Sequence, residues 1–425
     1  MFFILALFFL AGGQTHGADM LVTGARIYTM NERQPVVSAL AVKDGRIVCV
    51  GDGAAACVSA SARRIDAHGA TVVPGFIDSH AHMDGLGEQL ETFDLRHIAT
   101  VAGVAAVVRR EAARRKPGEW IVGRNWDQTN WGGRFPTARD LAEAAPHNPV
   151  FLTRVDGHAA WVNPQALELA GIRASTPDPP GGRLLRDAAG APTGILIDNA
   201  LDLVGAKIPA PTPAGTRRHL ARAAAECARL GLTSVHDAGM GPQELAAYRD
   251  LIAHGELPVR VYAMIGGDGQ LWRDYLARGP ETGDRLTVRS IKLMADGALG
   301  SRGAALFDPY TDEPTQSGLL ILSRERIEKV AREAAAHGFQ VATHAIGDRA
   351  NRTVLEAYAA ALGGANDRRF RIEHAQVVAP SDFELFRKYS IVASMQPTHA
   401  TSDLRWAEAR LGPERVRGAY AWRRF

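Results

Sequence analysis

Cysteine is scarce: Cys49, Cys57 and Cys227 are the only three, too few and too irregularly spaced for a disulfide framework or a CxxC metal site. Each is expected as a small buried apolar residue, with a Cys49–Cys57 bridge as the alternative if the chain is exported. Charge of one sign is also lacking. The formal net charge is +3, and no Lys/Arg block with interleaved aromatics occurs, so nucleic acid is not an expected partner. Long apolar runs are missing beyond the N-terminus, and no stable membrane span is expected. What remains, 46% hydrophobic and 22% charged residues in a 425-residue chain, suits a large buried core.

The strongly apolar run Met1–Gly13 (MFFILALFFLAGG) falls short of the roughly 20 residues that cross a bilayer. Small residues follow it, with Thr15 and Gly17 set for cleavage after Gly17. Residues 1–17 therefore read as a signal peptide, although no Lys or Arg precedes the apolar run. The expectation is an exported protein, periplasmic or secreted; without cleavage the chain is cytoplasmic.

After the leader, Met20–Met30 and Ser38–Val50 read as strands, with Asp44–Gly45 as a tight hairpin turn. Arg64–Asp66 and Ala70–Val73 add short ones, giving a small β-subdomain over 18–73. From residue 74 to 425, apolar strands alternate with helical stretches, the pattern of βα units around a parallel sheet. The expected strands are Val72–Ile77, Leu232–His236, Val259–Ile265, Val288–Met294, Gln340–His344, Phe370–His374 and Ile391–Met395. Helices are expected at Pro242–Ala253, Arg324–His337 and Arg349–Leu362, the second between an Ser323 N-cap and Gly338. The gap between the first two strands exceeds one crossover, so about 86–213 is an insertion rich in Trp, Gly and Pro.

His80 and His82 stand at i and i+2, a spacing that puts both rings on one side of an extended segment and within reach of one ion. With 14 His in the chain, chance supplies roughly half of one such pair, so the motif alone says little. Its place at the end of the apolar run VVPGFID says more, because barrel active sites lie at the C-terminal ends of strands. His344 closes VATHAIGD, His374 closes RIEHAQ, and Lys292 lies in SIKLMADG. A Lys in an apolar strand is costly unless paired or chemically used. Asp296 and Asp348 follow such strands and order their loops. Trp120, Trp126, Trp131 and Trp161 fall in the insertion, as packing or as an apolar substrate wall.

Taken together, VVPGFIDSHAH, IKLMADGALGSR, THAIGDRA and RIEHAQ resemble the amidohydrolase superfamily, specifically its N-substituted-formamide-deformylase-like branch, amidohydrolase family 3. DGHAAWVNPQAL, TSVHDAG and MQPTHATSD resemble further stretches, and the likeness runs from about Met20 to the last residue. It implies a TIM-type (β/α)8 barrel over 74–425 beside a partial β-sandwich over 18–73. By motif match His80, His82, His344 and His374 are metal ligands. Lys292 matches the lysine that such enzymes carboxylate, giving a carbamate that bridges two metals. Zinc is the first expectation, since imidazole dominates and thiolate is absent. His158, His236 and His399 match positions near the mouth, where they hold substrate or a leaving group, or serve structure.

The implied reaction is cleavage of a C–N bond, amide or formamide-like, in a small-molecule substrate by a metal-bridging hydroxide. The superfamily's proton-returning Asp closes the eighth strand in a GSD-type motif. No such motif follows Ile391–Pro397, so no catalytic acid is assigned, and the barrel is expected to lack strand 8. Two alternatives stand beside this reading. One is a deaminase with a single metal, against which Lys292 counts. The other is an inactive truncated relative.

Overall fold

A computed structural model describes residues 17–425 except Asp156, His158, Pro180, Gly181 and Ser301. The expected leader, Gly17 aside, and the candidate residue His158 therefore lie outside the described residues. The chain divides into two compact units between Phe76 and Ile77.

In the first unit, the strand Ala18–Thr23 is bordered by Leu40–Lys43 and by Val58–Asp66 in a four-stranded sheet. Asp44 (φ 49°) and Gly45 (φ 73°) both adopt the left-handed conformation that a two-residue hairpin demands. Two expectations are corrected. The stretch Met20–Met30 is not one strand, because Gly24 (φ 66°) breaks it before Arg26–Tyr28. Cys49 and Cys57 are not merely packed: they form a disulfide, with Cα atoms 6.5 Å apart.

The second unit is built on seven strands in one sheet path, in chain order. They are β1 (Phe76–Ala81), β2 (Leu232–Met240), β3 (Arg260–Gly266), β4 (Leu286–Met294), β5 (Gln340–Ala345), β6 (Arg371–His374) and β7 (Val392–Ser394). Neighbours from β2 to β7 all pair parallel. The result is an α/β fold with a mostly parallel, nearly closed barrel sheet. The expected first strand, Val72–Ile77, is displaced: Thr71–Val72 pairs inside the first unit, and β1 begins only at Phe76. Pro74 and Gly75 interrupt the apolar run between them, proline because it cannot donate to a ladder. The shift puts His80 on the barrel strand itself and His82 at the N-cap of α1 (Met83–Glu91).

Helices α1, α2 (Pro213–Arg229), α3 (Pro242–Ala253), α4 (Gly269–Arg278), α5 (Arg324–Ala336) and α6 (Asp348–Leu362) accompany the strands. The local reasons are visible in α5. Ser323 Oγ accepts the Arg326 N–H at 3.3 Å, and Gly338 (φ 81°) follows the last turn. Ile327, Val330, Ala331 and Ala334 recur at helical spacing and are buried. Full burial of the first two contributes about 1.5–3 kcal/mol each. Where α1 crosses α2, Gly87 lets the backbones meet: a Cβ there would lie 2.0 Å from the His219 carbonyl oxygen.

Between α1 and α2 a separate six-stranded sheet runs from Phe93–Asp94 to Pro192–Asp198. Trp126 and Trp161 are fully buried in it, their indoles donating to the Leu152 and Thr137 carbonyls at 2.7 and 2.8 Å. These two tryptophans are core, not a substrate wall.

Candidate functional site

The C-terminal ends of β1, β4, β5 and β6 bring His80, His82, Lys292, His344 and His374 together. The ring of His80 lies 5.3 Å from that of His82 and 4.8 Å from that of His374, centroid to centroid. His344 and His374 are 4.7 Å apart, and His399 stacks on His374 at 5.1 Å. His374 reaches this cluster through its backbone. Successive residues of a strand face opposite ways, but the left-handed φ of 74° at His374 ends the alternation. Such a conformation in a non-glycine residue stores strain, a feature that gathers at functional sites.

Lys292 is buried on β4, flanked in register by Gly266 on β3 and Ala342 on β5. Burial pulls its pKa down to about 8, with Glu373 opposing and Arg371 adding to the fall. Burial likewise lowers His344 to about 4, helped by Lys292, and His374 to about 2, helped by His344 and His80. His82 is lowered by burial, then by Lys292 and His80. Neutral imidazoles keep a lone pair free, the state in which histidine binds a cation.

Hydrogen-bond partners set which nitrogen is free. His80 Nδ1 donates to Glu373 Oε2 at 2.5 Å, while its Nε2 is buried with no hydrogen-bond partner. His374 Nδ1 donates to Gln396 Oε1 at 2.6 Å. Glu373 is fully buried, and Arg371 Nε donates to its Oε1 at 2.7 Å. Burial alone would raise the Glu373 pKa, but the bonds from His80 and Arg371 bring it down to about 2. Arg371 also donates to Ser394 Oγ at 2.9 Å, to the Ser79 carbonyl at 2.6 Å and to His236 Nδ1 at 2.9 Å. Glu373, Arg371 and Gln396 were not singled out from sequence. The signal was there: Arg371 and Glu373 share one face of a short strand, alternating with the apolar Phe370 and Ile372, and in a buried strand charges survive only as partners.

His236 belongs to that inner network, burial and Arg371 lowering its pKa to about 4. His399 Nδ1 bonds to Gln376 Oε1 at 2.8 Å, and Gln376 Nε2 donates to Asp403 at 2.9 Å. Asp296 accepts N–H groups of Ala305, Ile346 and Gly347, and Asp348 accepts that of Phe307, so both order loops. A cavity of about 530 Å³ reaches His82 and Lys292, walled by Leu293, Met294 and Ile321, with Asp268 and Arg326 at its rim.

Among the described residues no group of three or more His, Cys, Asp or Glu is set to hold a metal ion as it stands. The imidazoles of His80, His344 and His374 meet edge to face instead. The donor chemistry nevertheless fits a divalent cation: four clustered histidines, three with depressed basicity, and a buried Nε2 on His80 without a partner.

A barrel with clustered histidines at its strand ends is the frame of a metal-dependent hydrolase. The chain belongs to the amidohydrolase family, whose profile matches residues 63–425. It is 32% identical to the N-substituted formamide deformylase of Arthrobacter pascens, over 85% of this chain and 69% of that one. It is 35% identical to the protein LONG AFTER FAR-RED 3 of Arabidopsis thaliana, over 94% and 71%. An uncharacterized metal-dependent hydrolase from Pyrococcus horikoshii superimposes with a TM-score of 0.79 at 30% identity, covering 95% of this chain and 80% of its own. A divalent metal and a small-molecule substrate follow from that membership. No helix among the described residues is long and apolar enough to cross a membrane.

Proposed function

We propose that the chain hydrolyses a C–N bond of amide or formamide type, with His80, His82, His344, His374 and a carboxylated Lys292 holding two divalent ions, zinc by preference. The observation that carries this reading is the buried Lys292 among the four histidines at the strand ends. Bound there, the ions would acidify a water and polarise the substrate carbonyl. Carboxylation joins the neutral Lys292 amine to CO2, forms an N–C bond and releases one proton, replacing a cation by an anionic oxygen ligand. Glu373 holds the His80 ring with Nε2 free, and Gln396 does the same for His374. The apolar wall of Leu293, Met294 and Ile321 suits a substrate with an apolar substituent and limits water around the reacting bond. His399, stacked on His374, is a substrate or leaving-group contact, and the same role is proposed for His158. For His236 the Arg371 bond favours a structural role over substrate contact.

The test is hydrolysis of N-substituted formamides by protein stripped of metal and then reloaded with zinc. Formate and amine should appear only after reloading, with two zinc ions per chain. A reloaded chain that releases neither product across a panel of amides defeats the proposal.

Export is proposed as well. The Cys49–Cys57 disulfide favours an oxidising compartment, where such bonds persist. N-terminal sequencing from the native host should begin at Ala18, and a mature protein that retains Met1 contradicts cleavage.

A further inference from the structure

At the opposite end of the barrel, the N-terminal ends of the strands enclose a second cavity, of about 580 Å³. Its wall includes Tyr262 on β3, Arg289 on β4, Gln340 on β5 and the loop Asp367–Arg369 that leads into β6. Arg371 and His236 close it inward. We propose that this cavity is a binding site for a multivalent oxyanion, an organic phosphate or a polycarboxylate, gripped by Arg289 and Arg368.

Charge balance supports the assignment. Four of the lining side chains are arginines, and the one lining carboxylate, Asp367, is bonded to Arg369 at 2.8 Å. Arg371 is matched by Glu373. Among the described residues Arg289 and Arg368 have no carboxylate within ion-pair distance, and Arg289 is held by its Nε bond to the Gly338 carbonyl at 3.2 Å. Two unmatched guanidiniums on one concavity repel each other and attract a ligand with several anionic oxygens, which each can bind in a bidentate fashion.

The rest of the lining adds one ring donor and leaves no side-chain amide oxygen facing the anion unpaired. His236 Nδ1 accepts from Arg371, so its ring proton sits on Nε2. The acceptor Gln340 Oε1 is already occupied by the Tyr262 hydroxyl at 3.0 Å. Arg371, only 5% exposed and paired with Glu373, closes the inner end without adding net charge, so the grip falls to Arg289 and Arg368. The volume, about 580 Å³, admits an anion larger than a single phosphate.

Calorimetric titration of the full chain with inorganic pyrophosphate, and separately with citrate, at constant ionic strength tests the proposal. At least one should bind saturably with Kd below about 1 mM, and chloride should not. Comparing the two probes distinguishes phosphate from carboxylate chemistry. The double variant Arg289→Gln/Arg368→Gln should weaken binding at least tenfold, whereas Arg109→Gln/Arg110→Gln, an exposed helical pair of equal charge, should leave it unchanged. Metal-stripped protein should bind as the loaded protein does, which separates this site from anion capture at the proposed metal centre. No saturable binding, equal loss in both double variants, or loss on stripping the metal overturns the site.

Discussion

Lys292→Ala is expected to lower amide hydrolysis at least about a hundredfold and to leave the protein with a small fraction of its metal. The side chain enters the proposed centre from β4 and lies close enough to His82, His344 and His374 to depress all three. As an ammonium it would repel a cation from those rings; as a carbamate it would contribute anionic oxygens. Alanine removes both options without touching the histidines. Folding should survive, because losing a buried amine relieves a desolvation cost. Lys292→Glu should retain more metal than Lys292→Ala, since it restores an anionic oxygen ligand on a shorter stem. Metal analysis by mass spectrometry, paired with a thermal melt, reads the outcome. Undiminished zinc in a folded Lys292→Ala protein sinks the carbamate role.

The same site shows why some features were legible in sequence and others were not. The strand end carrying His344 announces itself, since a polar ring closing the largely apolar run VAT has little structural reason to be there. The capping of α5 was equally plain, because Ser323 and Gly338 act on their own neighbours. Local signals failed where two ladders compete for one apolar run. Val72 and Ile77 are both good strand residues, and only Pro74–Gly75 between them separates the two sheets. The Cys49–Cys57 disulfide depended on Cys49 lying near the end of one strand and Cys57 just before the next, a proximity that spacing alone does not give. Arg371 and Glu373 were hidden for a related reason. Their partners His80, His236 and Ser394 come from β1, β2 and β7, far away in sequence.

That inner network yields the second large effect. Glu373→Ala is expected to destabilise the fold by about 3–5 kcal/mol, because it leaves the Arg371 guanidinium buried without its counter-charge. Such a loss would say nothing about the metal. Glu373→Gln separates the two roles: its amide oxygen can still accept from His80 Nδ1, but the negative charge behind the ring is gone. Metal affinity, measured by competition with a chromogenic chelator, should fall about 10- to 100-fold in this variant. Adding Arg371→Met removes the uncompensated cation, so Glu373→Gln/Arg371→Met should regain most of the stability lost to the single change. Its metal affinity should stay low, since His80 still lacks an anionic partner at 2.5 Å. If the double variant recovers affinity together with stability, Glu373 serves the fold alone and does not tune His80.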